Sequence, residues 1–256
     1  MAQTSPVDDH SSSMIEQPVG DIVSDCTSRA RPDANPEHHR LQGRYCRLEL
    51  LNSNTSSTTI KQLYDAFKPM EQTHFTYLAY GPFETVDQFV EFIRKKELPS
   101  SNTILYSIIV NDRAVGFLSY LRIKEHQATI EIGHVNFSQQ LVHTRQGTEA
   151  IYLLLQHAFD TLGYRRVEWQ CYSLNANSRK AALRLGFQYE GTWLKAWICK
   201  GRSRDNVWHS IVDDEWPLVK QEFERWLNED NFDANGQQLT RLNAAQVNPR
   251  RNKLSA

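Results

Sequence analysis

Residues 137–163 read FSQQLVHTRQGTEAIYLLLQHAFDTLG and change character twice. Ile151, Leu154, Leu155, Ala158, Phe159 and Leu162 fall at i, i+3, i+4, i+7, i+8 and i+11, the apolar stripe of a helix whose one face is buried. Gly163 follows where a left-handed C-cap glycine belongs. Gly147-Thr148-Glu149 opens the helix, and a polar loop, Ser138–Gln146, precedes it. Before the loop, Ala128–Phe137 is extended in pattern. The first amides of a helix have no internal acceptors, and the macrodipole adds partial positive charge there. A strand–loop–helix unit of this kind suits a phosphate or pyrophosphate. Every such unit shares the property, so by itself it does not establish a ligand.

Downstream, Arg165–Ser173 returns to a strand in which Val167, Trp169 and Cys171 alternate. Asn175–Leu185 is a short helix closed by Gly186. Gln188–Lys200 and Asn206–Val212 pair as a hairpin across the polar loop Gly201–Asp205, and Pro217 opens a last helix. Upstream, Arg44–Leu51 reads as a strand, and Ser57–Lys68 and Glu84–Leu98 as helices. Leu105–Val110 and Ala114–Ile123 form a hairpin about Asn111-Asp112. This order predicts an α/β (α+β) domain over 43–227 with a mixed, mostly antiparallel sheet and one parallel crossover around the central helix. Residues 1–42 and 228–256 are poor in large apolar groups and read as tails, the first disordered or laid as a strap over the domain.

Lys+Arg 29 against Asp+Glu 30 gives a net charge of −1, with 40 % hydrophobic and 23 % charged residues. That balance excludes the electrostatic footprint of a nucleic-acid-binding domain. No apolar run approaches the length of a membrane span. Cys26, Cys46, Cys171 and Cys199 lack CxxC spacing and read as free thiols of a reducing, cytoplasmic compartment. Met1–Ile15 has no targeting pattern. No metal site is expected, since His38-His39 stands without partners at ligand spacing.

The helix opening Gly147-Thr-Glu-Ala150, the Asn175-Ala-Asn-Ser178 helix ending in Leu185-Gly186-Phe187, and the order of elements around them resemble the GNAT superfamily of acyl-CoA-dependent N-acyltransferases. Within it the chain is most similar to the branch of the ribosomal-protein alanine N-acetyltransferases. Tyr77–Phe83, Arg165–Trp169 and Lys200-Gly-Arg with Asp205 resemble other relatives.

The resemblance implies a single domain of splayed strands flanked by helices, with acetyl-CoA as co-substrate and no metal. The pyrophosphate loop then falls on Val142, His143, Thr144, Arg145, Gln146, Gly147 and Thr148. Of its three signature positions, Val142, Arg145 and Gly147, only the glycine is kept; Arg145 could act as a cation for phosphates. Val135 and Phe137 would pair with the pantetheine arm, Asn175 would hold its amide, and Ser178 would protonate the departing thiolate. The tyrosine acid of many relatives is replaced by Ala182, and the glutamate base of the alanine enzymes by Trp197. Glu131 and His134 remain as candidate bases. Three residues apart, they point to opposite faces of a regular strand, so a bulge is needed for both to serve.

Trp197, and Tyr80 within Tyr77–Phe83, are the expected acceptor-binding residues. The acceptor expected is a primary amine, either a small molecule or a peptide N-terminus. Two rivals stand beside an acetyltransferase: a transferase of longer acyl groups, and a non-catalytic acyl-CoA-binding module. A homodimer is one open option for the assembly.

Overall fold

The structure, a computed structural model, describes Val23 and residues 25–252. Eight strands form one sheet: β1 (Arg40–Gln42), β2 (Arg47–Leu51), β3 (Thr103–Val110), β4 (Arg113–Lys124), β5 (Thr129–Phe137), β6 (Arg166–Tyr172), β7 (Gln188–Cys199) and β8 (Arg202–Val212). Their spatial order is β1-β2-β3-β4-β5-β6-β8-β7. Among the described residues only β5 and β6 run parallel. The helices are α1 (Ser57–Phe67), α2 (Glu71–His74), α3 (Val86–Glu97), α4 (Arg145–Gln156), α5 (Ala176–Arg184), α6 (Trp216–Leu227) and α7 (Ala244–Val247). This is the mixed sheet flanked by helices that the sequence pattern predicts.

Alternation along the strands sends apolar side chains to both faces. Leu105, Ile109 and Phe117 join Ile60, Leu63, Phe89 and Ile93 from α1 and α3 on one side. Tyr106, Ile108, Ile130, Ile132, Val167 and Trp169 join the α4 stripe and α6 on the other. All six stripe residues, from Ile151 in α4 to Leu162 beyond it, are buried. The helix begins at Arg145, two residues before Gly147, and after Gln156 widens into a π-turn over His157–Thr161. Gly163 then takes a φ of +69°, as its position predicts.

Two boundaries differ from expectation. The predicted loop Gly201–Asp205 is a two-residue turn: Lys200 and Gly201 take φ of +50° and +72°, and Arg202–Asp205 belong to β8. A run of charged residues there resembles a loop because the hairpin tip carries polar groups on both faces. The strand expected over Arg44–Leu51 is β2, which starts at Arg47. Residues 44–46 instead turn their amides onto the buried carboxylate of Glu149, at 2.8, 2.7 and 2.7 Å.

Contacts also extend beyond 43–227. Arg29 Nε donates to the Gly163 carbonyl at 2.6 Å, Tyr164 Oη donates to the Ala30 carbonyl at 3.1 Å, and β1 pairs with β2. The His38 ring lies 4.8 Å from the His157 ring. On the C-terminal side, Leu242 and Ala244 enter the main core, and Asn248 Nδ2 donates to Gly186 O at 3.0 Å. Segments too poor in apolar groups to build a core can still add to the rim of one. The rest of the expected tails lies outside the described residues.

Candidate active site

β5 and β6 are hydrogen-bonded through three register pairs, Thr129–Arg166, Ile130–Val167 and Glu131–Glu168. Beyond Glu131 they part. Ile132–Phe137 and Trp169–Tyr172 therefore bound an opening through the sheet, with the loop before α4 at its far end. On its other side β5 is irregular: Phe117 opposes Asn136 and Ser119 opposes Gly133, so β5 carries one extra residue around His134–Val135. His134 takes a φ of +46°. Val135 and Phe137, expected along the pantetheine arm, lie where the β6-facing edge of β5 is unpaired.

At the start of α4, Thr144 is the N-cap. Its hydroxyl accepts from Gly147 N at 3.1 Å and donates to Leu141 O at 2.8 Å. The amides of Arg145 and Gln146 have no acceptor among the described residues. They are the donors this helix offers to a phosphate. A Cβ on Gly147 would lie 2.6 Å from the Leu141 carbonyl oxygen, so close approach of the loop requires glycine there. Val142 and His143 are exposed, the latter at φ +61°. Arg145 is not a solvated loop charge: its guanidinium lies over the Tyr45 ring at 4.2 Å and 5.2 Å from that of Phe232. The Thr148 side chain turns inward, accepting from Arg184 at 3.2 Å.

Asn175 caps α5, its Oδ1 accepting from Ser178 N at 3.1 Å. Ser178 Oγ accepts from Trp169 Nε1 at 3.0 Å, which fixes it on the helix-packed face of β6. Glu131 occupies the opposite face, at the apex of the opening. It is 3 % exposed and gripped by Arg122, Nε to Oε2 at 2.7 Å and Nη2 to Oε1 at 3.2 Å. Burial outweighs the Arg122 charge and pushes this carboxyl up to about 7. The bulge brings His134 to the same side. Its Nδ1 lies 2.7 Å from Ser119 Oγ, and burial, then the charges of Lys96 and Arg122, push the imidazole down to about 3.

Around these groups stands a wall that periodicity alone did not reveal. Asn136 Nδ2 donates to Tyr80 Oη at 2.6 Å, and His74 Nε2 lies 2.9 Å from Asn136 Oδ1. Tyr80 packs 5.4 Å from His134, ring to ring. Lys200 Nζ donates to the carbonyls of Phe75 and Gly81, both at 2.9 Å, tying the β7–β8 tip to the 75–83 loop. Trp197 lies on the Arg122 guanidinium at 5.2 Å. The missed participants are Arg122, Gln170, Arg204 and Asn206. The signal for Gln170 lay in the polar positions Glu168, Gln170 and Tyr172, which alternate with the core residues of β6. Among the described residues no group of His, Cys, Asp and Glu could hold a metal ion, and no helix is long and apolar enough to cross a membrane.

Residues 56–188 match the model of the acetyltransferase (GNAT) domain family. A GCN5-related N-acetyltransferase from Brucella melitensis is 35 % identical over 84 % of this chain and 96 % of its own, with a TM-score of 0.77. A probable GNAT-family acetyltransferase from Chromobacterium violaceum is 38 % identical over 78 % and 98 %, with a TM-score of 0.71. An acetyl transferase from Salmonella typhimurium that modifies the N-terminal serine of a 50S ribosomal subunit protein shares the fold, at 15 % identity over 68 % and 98 % and a TM-score of 0.59. No curated protein matches the sequence. An opened sheet facing a capped helix N-terminus, together with these matches, defines the class: the chain belongs to the GNAT acetyltransferase family and is an acyltransferase.

Proposed function

We propose that the protein transfers an acetyl group from acetyl-CoA to a primary amine by direct attack, with no covalent enzyme intermediate. The observation that carries this reading is the parting of β5 from β6 at Glu131–Glu168, with free α4 amides at one end of the opening and an ionisable carboxyl at its apex. The coenzyme supplies the acyl group as a thioester. Arg145 and Gln146 amides, the α4 dipole and the Arg145 side chain hold its phosphates. The unpaired edge at Val135–Phe137 and the Asn175 side chain hold its arm.

The acceptor enters from the opposite face, against Tyr80 and Trp197. Orienting amine and thioester supplies most of the rate. As the C–N bond forms and the C–S bond breaks, the amine proton passes to Glu131, directly or through a water. Ser178, on the other face, donates to the departing sulfur. His134, held neutral, positions the wall and is not needed as the base.

The test is direct. Coenzyme A should raise the melting temperature by mass action, and acetyl-CoA with a panel of primary amines should release free thiol. A shift without thiol release for any amine would make the protein a binding module.

A further inference from the structure

The face of the sheet beside Glu131 carries a run of hydrogen bonds whose polarity is fixed from both ends. Arg204 Nη2 donates to Asn206 Oδ1 at 3.2 Å, Asn206 Nδ2 donates to Gln170 Oε1 at 2.7 Å, and Arg122 Nη2 donates to the same Oε1 at 2.9 Å. A guanidinium can only donate. Arg204 at one end and Arg122 at the other therefore oblige both amides to present oxygen to them. Gln170 is left with its NH2 group turned away from the network. Among the described residues that Nε2 is buried and has no acceptor, and the same holds for Arg204 Nε and Trp208 Nε1. Gln170 and Trp208 are register partners, and Arg204 lies on the same face of β8, so the three donors face one side.

The charge agrees with the donors. Arg122 and Arg204 stand against the single carboxyl of Glu131, and its register partner Glu168 is held by Arg166 at 2.8 Å. A buried donor without an acceptor is costly, and three on one face form a binding surface for a ligand rich in acceptor oxygens. Trp193 and Trp197 form the cover. They rest on Trp208 and Arg122, are 60 % and 45 % exposed, and sit on the stretch of β7 where register with β8 shifts.

We propose that the acceptor is a primary amine that also carries a carboxylate, and that Gln170 Nε2, Arg204 and Trp208 Nε1 bind that carboxylate once the Trp193–Trp197 stretch lifts. The amine then lies toward Glu131. The proposal deepens the acyl-transfer reading above and rests on it for the amine.

The experiment uses the full chain and matched amines, β-alanine with β-alaninamide and 4-aminobutanoate with butylamine. Calorimetry measures binding to coenzyme-free protein, and thiol release measures kcat/KM. The carboxylate member of each pair should be favoured by about 10- to 100-fold, the usual worth of a charge-assisted contact. Gln170→Glu keeps an acceptor oxygen for Arg122 and Asn206 but replaces the NH2 donor by a second oxygen. In that variant the preference should vanish or reverse; Arg204→Gln should reduce it about tenfold. Equal use of both members by the wild-type chain would overturn the proposal. So would an unchanged preference in Gln170→Glu or Arg204→Gln at wild-type melting temperature. Failure of the acyl-transfer reading has another signature, no thiol release with any amine, and the calorimetric preference still decides the carboxylate site.

Discussion

Arg122 holds both oxygens of Glu131, yet the carboxyl is pushed up to about 7 because it is 3 % exposed. The ionised fraction rises as pH climbs through that value, so kcat/KM should rise along a limb centred near 7 and level off above it. Glu131→Gln should remove the limb and lower kcat by about 10²–10⁴-fold. The linkage has the opposite sense: the folded chain holds a proton that the unfolded chain releases near its ordinary value, so stability from this group is lost as pH rises across that window to about 7. pH–rate profiles of both proteins check this. A limb that survives in Glu131→Gln would assign the base elsewhere.

Gly147→Val should abolish the coenzyme-induced rise in melting temperature. A side chain there meets the Leu141 carbonyl oxygen at 2.6 Å and the Phe137 ring at 3.1 Å, so the loop must move away from the α4 amides. Thermal shift with and without coenzyme A reads the effect, and an undiminished shift would move the phosphate site away from this loop.

Ser178→Ala separates two roles. If the hydroxyl meets the sulfur as charge develops, kcat falls by about 10²–10⁴-fold while coenzyme affinity holds. The same change strands the Trp169 indole N–H, costing about 1–3 kcal/mol of stability. Kinetics and melting curves on one sample divide them; wild-type kcat with a lowered melting temperature would leave Ser178 only its structural bond.

Glu149→Ala removes the acceptor of three backbone amides, those of Arg44, Tyr45 and Cys46. Bonds to a charged group are worth about 1.5–3 kcal/mol each before relaxation. Urea unfolding should show a loss of several kcal/mol, about 3 or more, with the loop at 43–46 released from α4. A midpoint close to wild type would show that water replaces the carboxylate without cost.

Much of the site's frame was legible in the sequence because local chemistry sets it. The α4 stripe, Gly163, the Asn111-Asp112 turn and the Asn175 cap each follow from spacing or from one residue's backbone preference. The β5 bulge was anticipated only as a condition, since nothing local to Glu131 and His134 says which residues of β4 oppose them. The packing of Arg145 was not legible because its aromatic neighbours, Tyr45 and Phe232, are distant in sequence.

The sequence by itself determined the main elements of 43–227, their order and the superfamily, since periodicity, caps and motifs are properties of neighbouring residues; β1 and α7, only three and four residues long, fell in stretches that read as tails. Only the tertiary structure decided where β5 leaves β6, which side of the sheet each candidate faces, and that Arg122, Gln170, Asn206 and Arg204 form one hydrogen-bonded run. Those four residues come from three strands, and their bond polarity depends on donors that meet only when the strands pair. Burial, which sets the Glu131 proton affinity, is likewise a property of the assembled sheet and of no single stretch of chain.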